Sequence, residues 1–286
     1  MESALSAAFE ILSFGAIIVL VVLGLGIIAS MMGIFNFAHG EFVLLGAYTV
    51  YLFHTWGLPV WLGMLVAPIS VGAAGFVAER LVIRRFYGAP IAAILATYAL
   101  GLSIREAVRG LIGGLYYAVP EPLSGSISVG GVELSEWRLA IILITALVVV
   151  GSCLLLNDTT FGLRMRAALE NPALARASGI STTTMYALTF TLGAALAGLA
   201  GALMVPIFSL FADLGLRFLI MGFLAVMLGG VGTFEGPVVG AGVTGALSAI
   251  MPWIVLPVLA DVLVFAIVIV IVKFRPEGLI TGTRGK

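Results

Sequence analysis

Residues 157–182 read NDTTFGLRMRAALENPALARASGIST, a polar island with three arginines set between two long apolar runs. No charged residue falls at 139–157 on one side of it or at 177–212 on the other. The pattern continues outward to both ends, with charge-free stretches at 11–40, 42–78, 86–104, 218–234 and 236–260. Roughly 20 apolar residues span a bilayer, so these runs read as membrane helices. Composition agrees: of 286 residues 62% are hydrophobic and 10% charged, against about 25% charged in soluble domains. A soluble globular domain is excluded. Zero net charge and the lack of any dense Lys/Arg cluster argue against a nucleic-acid-binding protein. Cys153 stands alone, so neither a disulfide framework nor a thiolate metal site can form within one chain. The apolar stretch from Ile11 runs on too far for a signal peptide and is expected to be a first span.

Basic flanks mark the cytoplasmic side of membrane helices. They collect at Arg80, Arg84 and Arg85, at Arg164, Arg166 and Arg176, and at Lys273, Arg275, Arg284 and Lys286. The loop at 113–137 carries Glu121, Glu133 and Glu136 with no base before Arg138, and is expected outside. Spans at about 91–112, 138–156, 183–205 and 253–272 join these points. The chain is then outside near Pro206 and again near Pro252, so it crosses an even number of times between them, as two short spans or two re-entrant segments. Three spans before Arg80 give nine in all with the N-terminus outside; two give eight. The fold class is therefore an all-α polytopic membrane protein of eight to nine transmembrane helices with broken or re-entrant segments, a single transmembrane domain over residues 1–286.

Two glycine-rich breaks interrupt the apolar runs, GIFNFAHGE (33–41) and GGVGTFEG (229–236). Unwound backbone at membrane depth is tolerated only where it lines a cavity or is buried in protein. Asn36, Phe37, His39, Glu41, Thr97, Tyr98, Gly229, Gly230 and Gly232 are thus candidates to line a translocation path. Two plainer readings stand beside this one: polar side chains capping broken helix ends, and glycines allowing close helix packing. A metal at His39 and Glu41 is not favoured, because there is no HExxH and no further ligand at suitable spacing. Thr184, Thr189, Thr191, Thr244 and Ser248 either face a polar solute or bond back to their own helices. Arg105, Glu106, Arg109 and Asp261 are expected at outer span ends, within reach of headgroups and water.

Within the polar island, Asn171 is a good N-cap, Pro172 suits a first helical position, and Gly179 can end the helix in the left-handed conformation. The helix between, Pro172 to Ser178, is about 10 Å long and unstable alone. It therefore docks either on a partner or along this protein and the lipid. No GxxxxGK[ST] occurs, so an energy source would lie on another chain.

Three blocks carry a resemblance: FNFAHGEFVLLGAY (35–48), FGLRMRAALENPALARASGI with ALTFTLGAALAGLAGAL (161–203), and AVMLGGVGTFEGPVVGAGVTGAL (225–247), with RPEGL (275–279) near the end. They are similar to the signature blocks of the branched-chain amino acid (LIV-type) permease family of bacterial ABC importers. The resemblance implies the ABC importer permease fold in the bacterial inner membrane, with a cytoplasmic C-terminus and no enzymatic activity or cofactor in this chain. It implies as partners a second homologous permease, two ATPases that hold ATP and Mg, and an extracytoplasmic substrate-binding protein. Glu170, Asn171, Pro172, Ala173, Leu174, Ala175, Arg176, Ala177, Ser178 and Gly179 would then form the coupling helix and its caps. The stretch at 86–110 is also similar to the urea and short-amide branch, which gives an alternative solute. A secondary transporter would need an intramembrane acid for ion coupling, for which only Glu41 or Asp261 could serve, and a membrane enzyme finds no nucleophile–base pair or cofactor motif.

Overall fold

Helix α1 (Glu2–Met32) runs for 31 residues, about 46 Å at 1.5 Å per residue. It ends where Gly33 takes φ 66° and its N–H bonds the Ala29 carbonyl at 3.1 Å, the usual left-handed glycine stop. The computed structural model describes residues 2–280, so the bases Arg284 and Lys286 lie outside the described residues. After Gly33 the chain doubles back without helix, and α2 (His39–Thr55) opens beside the middle of α1, where His39 Nε2 meets the Val21 carbonyl at 2.8 Å. Then follow α3 (Val60–Leu81), a 3₁₀ turn (Ile83–Phe86) and α4 (Pro90–Ile112), the last opening on a proline, which fits a first helical turn.

The connection after α4 is non-helical, as expected of the 113–137 loop, but part of it is ordered as strand. Residues 126–135, SISVGGVELS, form an antiparallel hairpin of β1 (Ser126–Val129) and β2 (Val132–Ser135). Gly130 and Gly131 both take positive φ, 59° and 87°, as a two-residue turn matched to strand twist demands. Ser135 closes the hairpin by capping α5 (Glu136–Asn157). Next come α6 (Thr160–Glu170), α7 (Pro172–Ala177), α8 (Thr182–Phe208), α9 (Leu214–Gly229), α10 (Glu235–Ile254) and α11 (Pro257–Phe274). Helix α10 continues through Pro252, so the last helix starts later than the expected 253.

Contacts at the helix ends fix their directions. At the hairpin end Leu5 lies against Gly130, Tyr117 and Leu210 exchange backbone hydrogen bonds of 2.9 and 2.8 Å, and Arg109 reaches Asp213 at 2.7 Å. At the opposite end Tyr87 packs on Tyr186 at 5.0 Å between ring centroids, and Ser30 donates to the Thr233 carbonyl at 3.0 Å. There too Leu279 N–H meets the Leu228 carbonyl at 2.8 Å. Helices α1 to α5 and α8 to α11 therefore alternate in direction, with α9 and α10 each running from one end to the other. Among the described residues six helices are long and apolar enough to cross a membrane: α3, α4, α5, α8, α10 and residues Leu5–Met32 of α1. At 17 and 16 residues, α2 and α9 are shorter. The chain is a multi-pass membrane protein.

Helices α1 and α8 form the centre, each 72% buried over its most apolar stretch against 22% for α4 and α5. Lipid tails are as apolar as leucine, so close backbone approach must replace the hydrophobic drive between helices. Helix α8 achieves this with glycines on three sides. A Cβ on Gly193 would meet the Gly24 carbonyl of α1 at 2.8 Å, one on Gly198 the Ala67 carbonyl of α3 at 3.0 Å, and one on Gly201 the Ala47 nitrogen of α2 at 3.0 Å.

Candidate functional site

Two places concentrate the sequence candidates. The first is the short helix α7. Asn171 Oδ1 accepts from the Leu174 N–H at 2.9 Å, and Pro172 takes the first turn. At the other end Gly179 has φ 81°, while Ile180 N–H bonds the Ala175 carbonyl at 2.9 Å. The helix is one residue shorter than expected because Ser178 has already become its C-terminal cap. Of the helix's own residues only Ala175 is buried, and Leu174 is 63% exposed with Arg176 beside it. The helix stands on Ala175, with Pro172 half-buried, and turns its other side chains outward.

Its base is well anchored. Helix α6 opens on Thr159, whose Oγ1 accepts from Gly162 N–H at 3.3 Å, and buries Gly162, Met165 and Ala168 along one face. Arg166 donates to the Leu156 carbonyl of α5. Tyr186 of α8 donates to the Ala168 carbonyl at 3.1 Å and stacks edge-on against Tyr87. Tyr87 in turn donates to Glu79, a fully buried carboxylate that Arg84 approaches at 3.4 Å. Burial, with the Glu79 carboxylate as acceptor, pushes the Tyr87 phenol above its usual pKa. Two hydrogen bonds joined by a tyrosine–tyrosine contact thus link the end of α3 through the start of α8 to the helix that carries α7.

The second place is the joint between α1 and α2. Asn36, His39 and Glu41 have no exposed surface. Asn36 Oδ1 accepts from Ala38 N–H at 3.0 Å, and Thr97 Oγ1 of α4 accepts from Phe37 N–H at 3.1 Å. Each satisfies a backbone donor that the broken helix leaves without an intrahelical partner. Arg105 of α4 donates to Glu41 through both Nε, at 2.8 Å, and its terminal nitrogen. Phe35 and Phe37 point the other way and meet Phe223 of α9, at 5.9 and 4.6 Å between centroids. Asn36 Nδ2, His39 Nδ1 and Glu41 Oε2 have no hydrogen-bond partner among the described residues.

Residues 7–272 match the family model described as branched-chain amino acid transport system / permease component. The chain belongs to that family. It is 27% identical to the high-affinity branched-chain amino acid transport system permease protein BraD of Pseudomonas aeruginosa, over 94% of this chain and 93% of that one. It is 25% identical to the corresponding permease protein LivH of Escherichia coli, over 96% and 95%. A probable branched-chain amino acid transport permease protein LivH of Methanocaldococcus jannaschii is 27% identical over 84% and 78%. No solved structure matches significantly.

The permease is thus the membrane component of an ABC importer, and its fold shows which sequence candidates meet. Asn36, Phe37, His39, Glu41 and Thr97 converge on the α1–α2 joint. Tyr98 does not; it turns out to the surface, 54% exposed. Gly229, Gly230 and Gly232 lie apart, in the α9–α10 connection, where Gly229 packs on Gly236 and Gly230 on Glu277. Arg105, expected to reach outward to headgroups, instead turns inward to Glu41 with its side chain 13% exposed. Its charge could have been matched to Glu41 from sequence, since intramembrane charges need partners and each borders a long charge-free run. Glu79 gave less warning, because it sits beside the basic flank and reads as part of it.

Proposed function

We propose that this permease is half of the translocation path of an ATP-driven importer for branched-chain or related small neutral amino acids. The solute follows from its relatives BraD and LivH, which are branched-chain amino acid permeases, and α7 is the coupling helix that meets a cytoplasmic ATPase. The observation that carries the coupling role is the geometry of α7: capped at both ends, buried only at Ala175, and offering Leu174 and Arg176 to a partner. On the adjoining helix α6, Leu163 and Arg164 are exposed as well. Orientation is supported by charge. Arg80, Arg84, Arg85, Arg164, Arg166, Arg176, Lys273 and Arg275 gather at the α7 end, against Arg105, Arg109, Arg138 and Arg217 toward the hairpin end. The positive-inside rule then makes the α7 end and the C-terminal side cytoplasmic, in the bacterial inner membrane, with the N-terminus and hairpin outside.

The partners are two ATPases that hold the ATP and Mg, a second homologous permease, and an extracytoplasmic binding protein at the hairpin end. Between α4 and α9 the joint presents Phe35, Phe37 and Phe223, and this face lines the path. The test is Leu174→Asp and Arg176→Glu in the full chain, scored for co-purifying ATPases and for uptake of leucine against urea and short amides. Loss of ATPase and uptake, with membrane yield unchanged, is the expected result. Unchanged assembly and transport in both variants would remove the coupling role, and uptake of urea in place of leucine would move the solute to the short-amide class.

A further inference from the structure

We propose that the cavity of about 310 Å³ at the hairpin end of the helices is a binding site for a zwitterion that carries an ammonium, an oxyanion and an apolar tail. Four charged side chains from four helices line it: Glu10 of α1, Arg138 of α5, Arg217 of α9 and Asp261 of α11. Two acids and two bases make it neutral as a whole. Arg217 and Asp261 approach each other, at 3.9 Å. Glu10 and Arg138 do not. Among the described residues neither side chain makes an ion pair within 4.0 Å or a hydrogen bond, and Ser13 donates to the backbone carbonyl of Glu10 and leaves the carboxylate free.

An acid and a base that face one cavity without meeting are placed for a ligand that bears both opposite charges. The guanidinium suits an oxyanion because its planar fork donates two parallel hydrogen bonds, and a carboxylate accepts from an ammonium. Ser248 adds a hydroxyl that is buried at the cavity wall and has no partner among the described residues. Such an orphan is rare enough to need a reason, and a ligand oxygen supplies one. The floor is apolar, with Phe14 and Phe208 packed edge-to-face at 6.2 Å beside Ile17 and Pro252. A mostly apolar concavity with a few convergent polar groups is the usual make-up of a small-molecule site.

Two sources carry this chemistry: an aminophospholipid, with phosphate, ammonium and acyl chains, and a free neutral amino acid with an apolar side chain. The experiment uses the full chain with its co-purifying partners, delipidated in mild detergent. One arm follows retention of phosphatidylethanolamine against phosphatidylglycerol by native mass spectrometry. The other measures saturable binding of labelled leucine by equilibrium dialysis. Wild type is expected to bind at least one of the two probes, phosphatidylethanolamine or leucine, and Arg138→Gln and Glu10→Gln to weaken that binding tenfold or more. Phosphatidylethanolamine alone identifies the lipid source, leucine alone the amino acid, and mutual competition a site shared by both. Binding of neither probe by wild type, or undiminished binding by both variants, overturns the proposal. Should the variants fail to fold, tryptophan fluorescence of wild type titrated with each probe decides. A saturable change abolished by Trp253→Phe, a tryptophan at the cavity wall, supports the site, and its absence overturns it. The site does not rest on the coupling role of α7, so loss of the ATPase contact would leave both binding arms intact.

Discussion

The α1–α2 joint and the α9–α10 joint look alike in sequence and differ in depth. Each breaks an apolar run with glycine and an acid, and each opens the next helix, with HGE at 39–41 and EGP at 235–237. Yet α2 opens opposite Val21, 11 residues before the end of α1, about 16 Å short of it. The α9–α10 turn lies level with Ser30, in the last turn of α1. Depth decides what each joint needs. Away from water every freed backbone donor must find a partner, and the inner joint recruits Asn36 and Thr97 for the Ala38 and Phe37 N–H groups, with His39 on the Val21 carbonyl and the Glu41–Arg105 pair buried beside them. At the end of the helices water can serve, and the outer joint manages with glycines at φ 95° and 108°, a Thr233 cap on Gly236 and one hydroxyl from α1, Ser30, which accepts from the exposed Gly232 and donates to the Thr233 carbonyl.

Removing one partner of the inner ion pair should break this contrast most severely. Arg105→Leu leaves Glu41 buried and unpaired, for an expected loss of about 3–5 kcal/mol, whereas the double change Glu41→Leu with Arg105→Leu should recover most of it. Thermal unfolding of the purified protein checks both, and equal losses in the single and double variants would mean the two charges do not depend on each other. Thr97→Val sharpens the comparison at a smaller scale: the Phe37 N–H loses the acceptor it has among the described residues, for about 1–2 kcal/mol. Truncating the neighbouring residue, Tyr98→Ala, should change stability by no more than about 0.5 kcal/mol, since its side chain lies on the surface. Any effect of Tyr98→Ala on uptake without an effect on stability would place that tyrosine at the path or at the second permease.

Much of the architecture was legible because membrane helices obey a simple rule of length and polarity. The charge gaps locate α4, α5 and α8 to within a few residues, and Asn171, Pro172 and Gly179 mark the caps of α7 in the sequence itself. The hairpin was missed although SISV-GG-VELS shows strand alternation around a two-glycine turn, because a Gly- and Ser-rich loop between spans reads first as a loop. The site was less legible. Sequence treats His39 and Gly229 as equal candidates, and nothing local reports that one joint lies deep and the other at an end. Arg105 borders a charge-free run and so calls for a partner, but that partner is 64 positions away, and the return of α2 beside α1 is what selects Glu41.

Reconstitution tests most directly whether this chain is the membrane half of an ATP-driven amino acid importer. The tagged chain and everything that co-purifies with it would be placed in liposomes, and leucine uptake measured with and without ATP. ATPases and a second permease are expected to co-purify, and uptake to require ATP together with the binding protein. Uptake by the chain alone, without ATP, would contradict this.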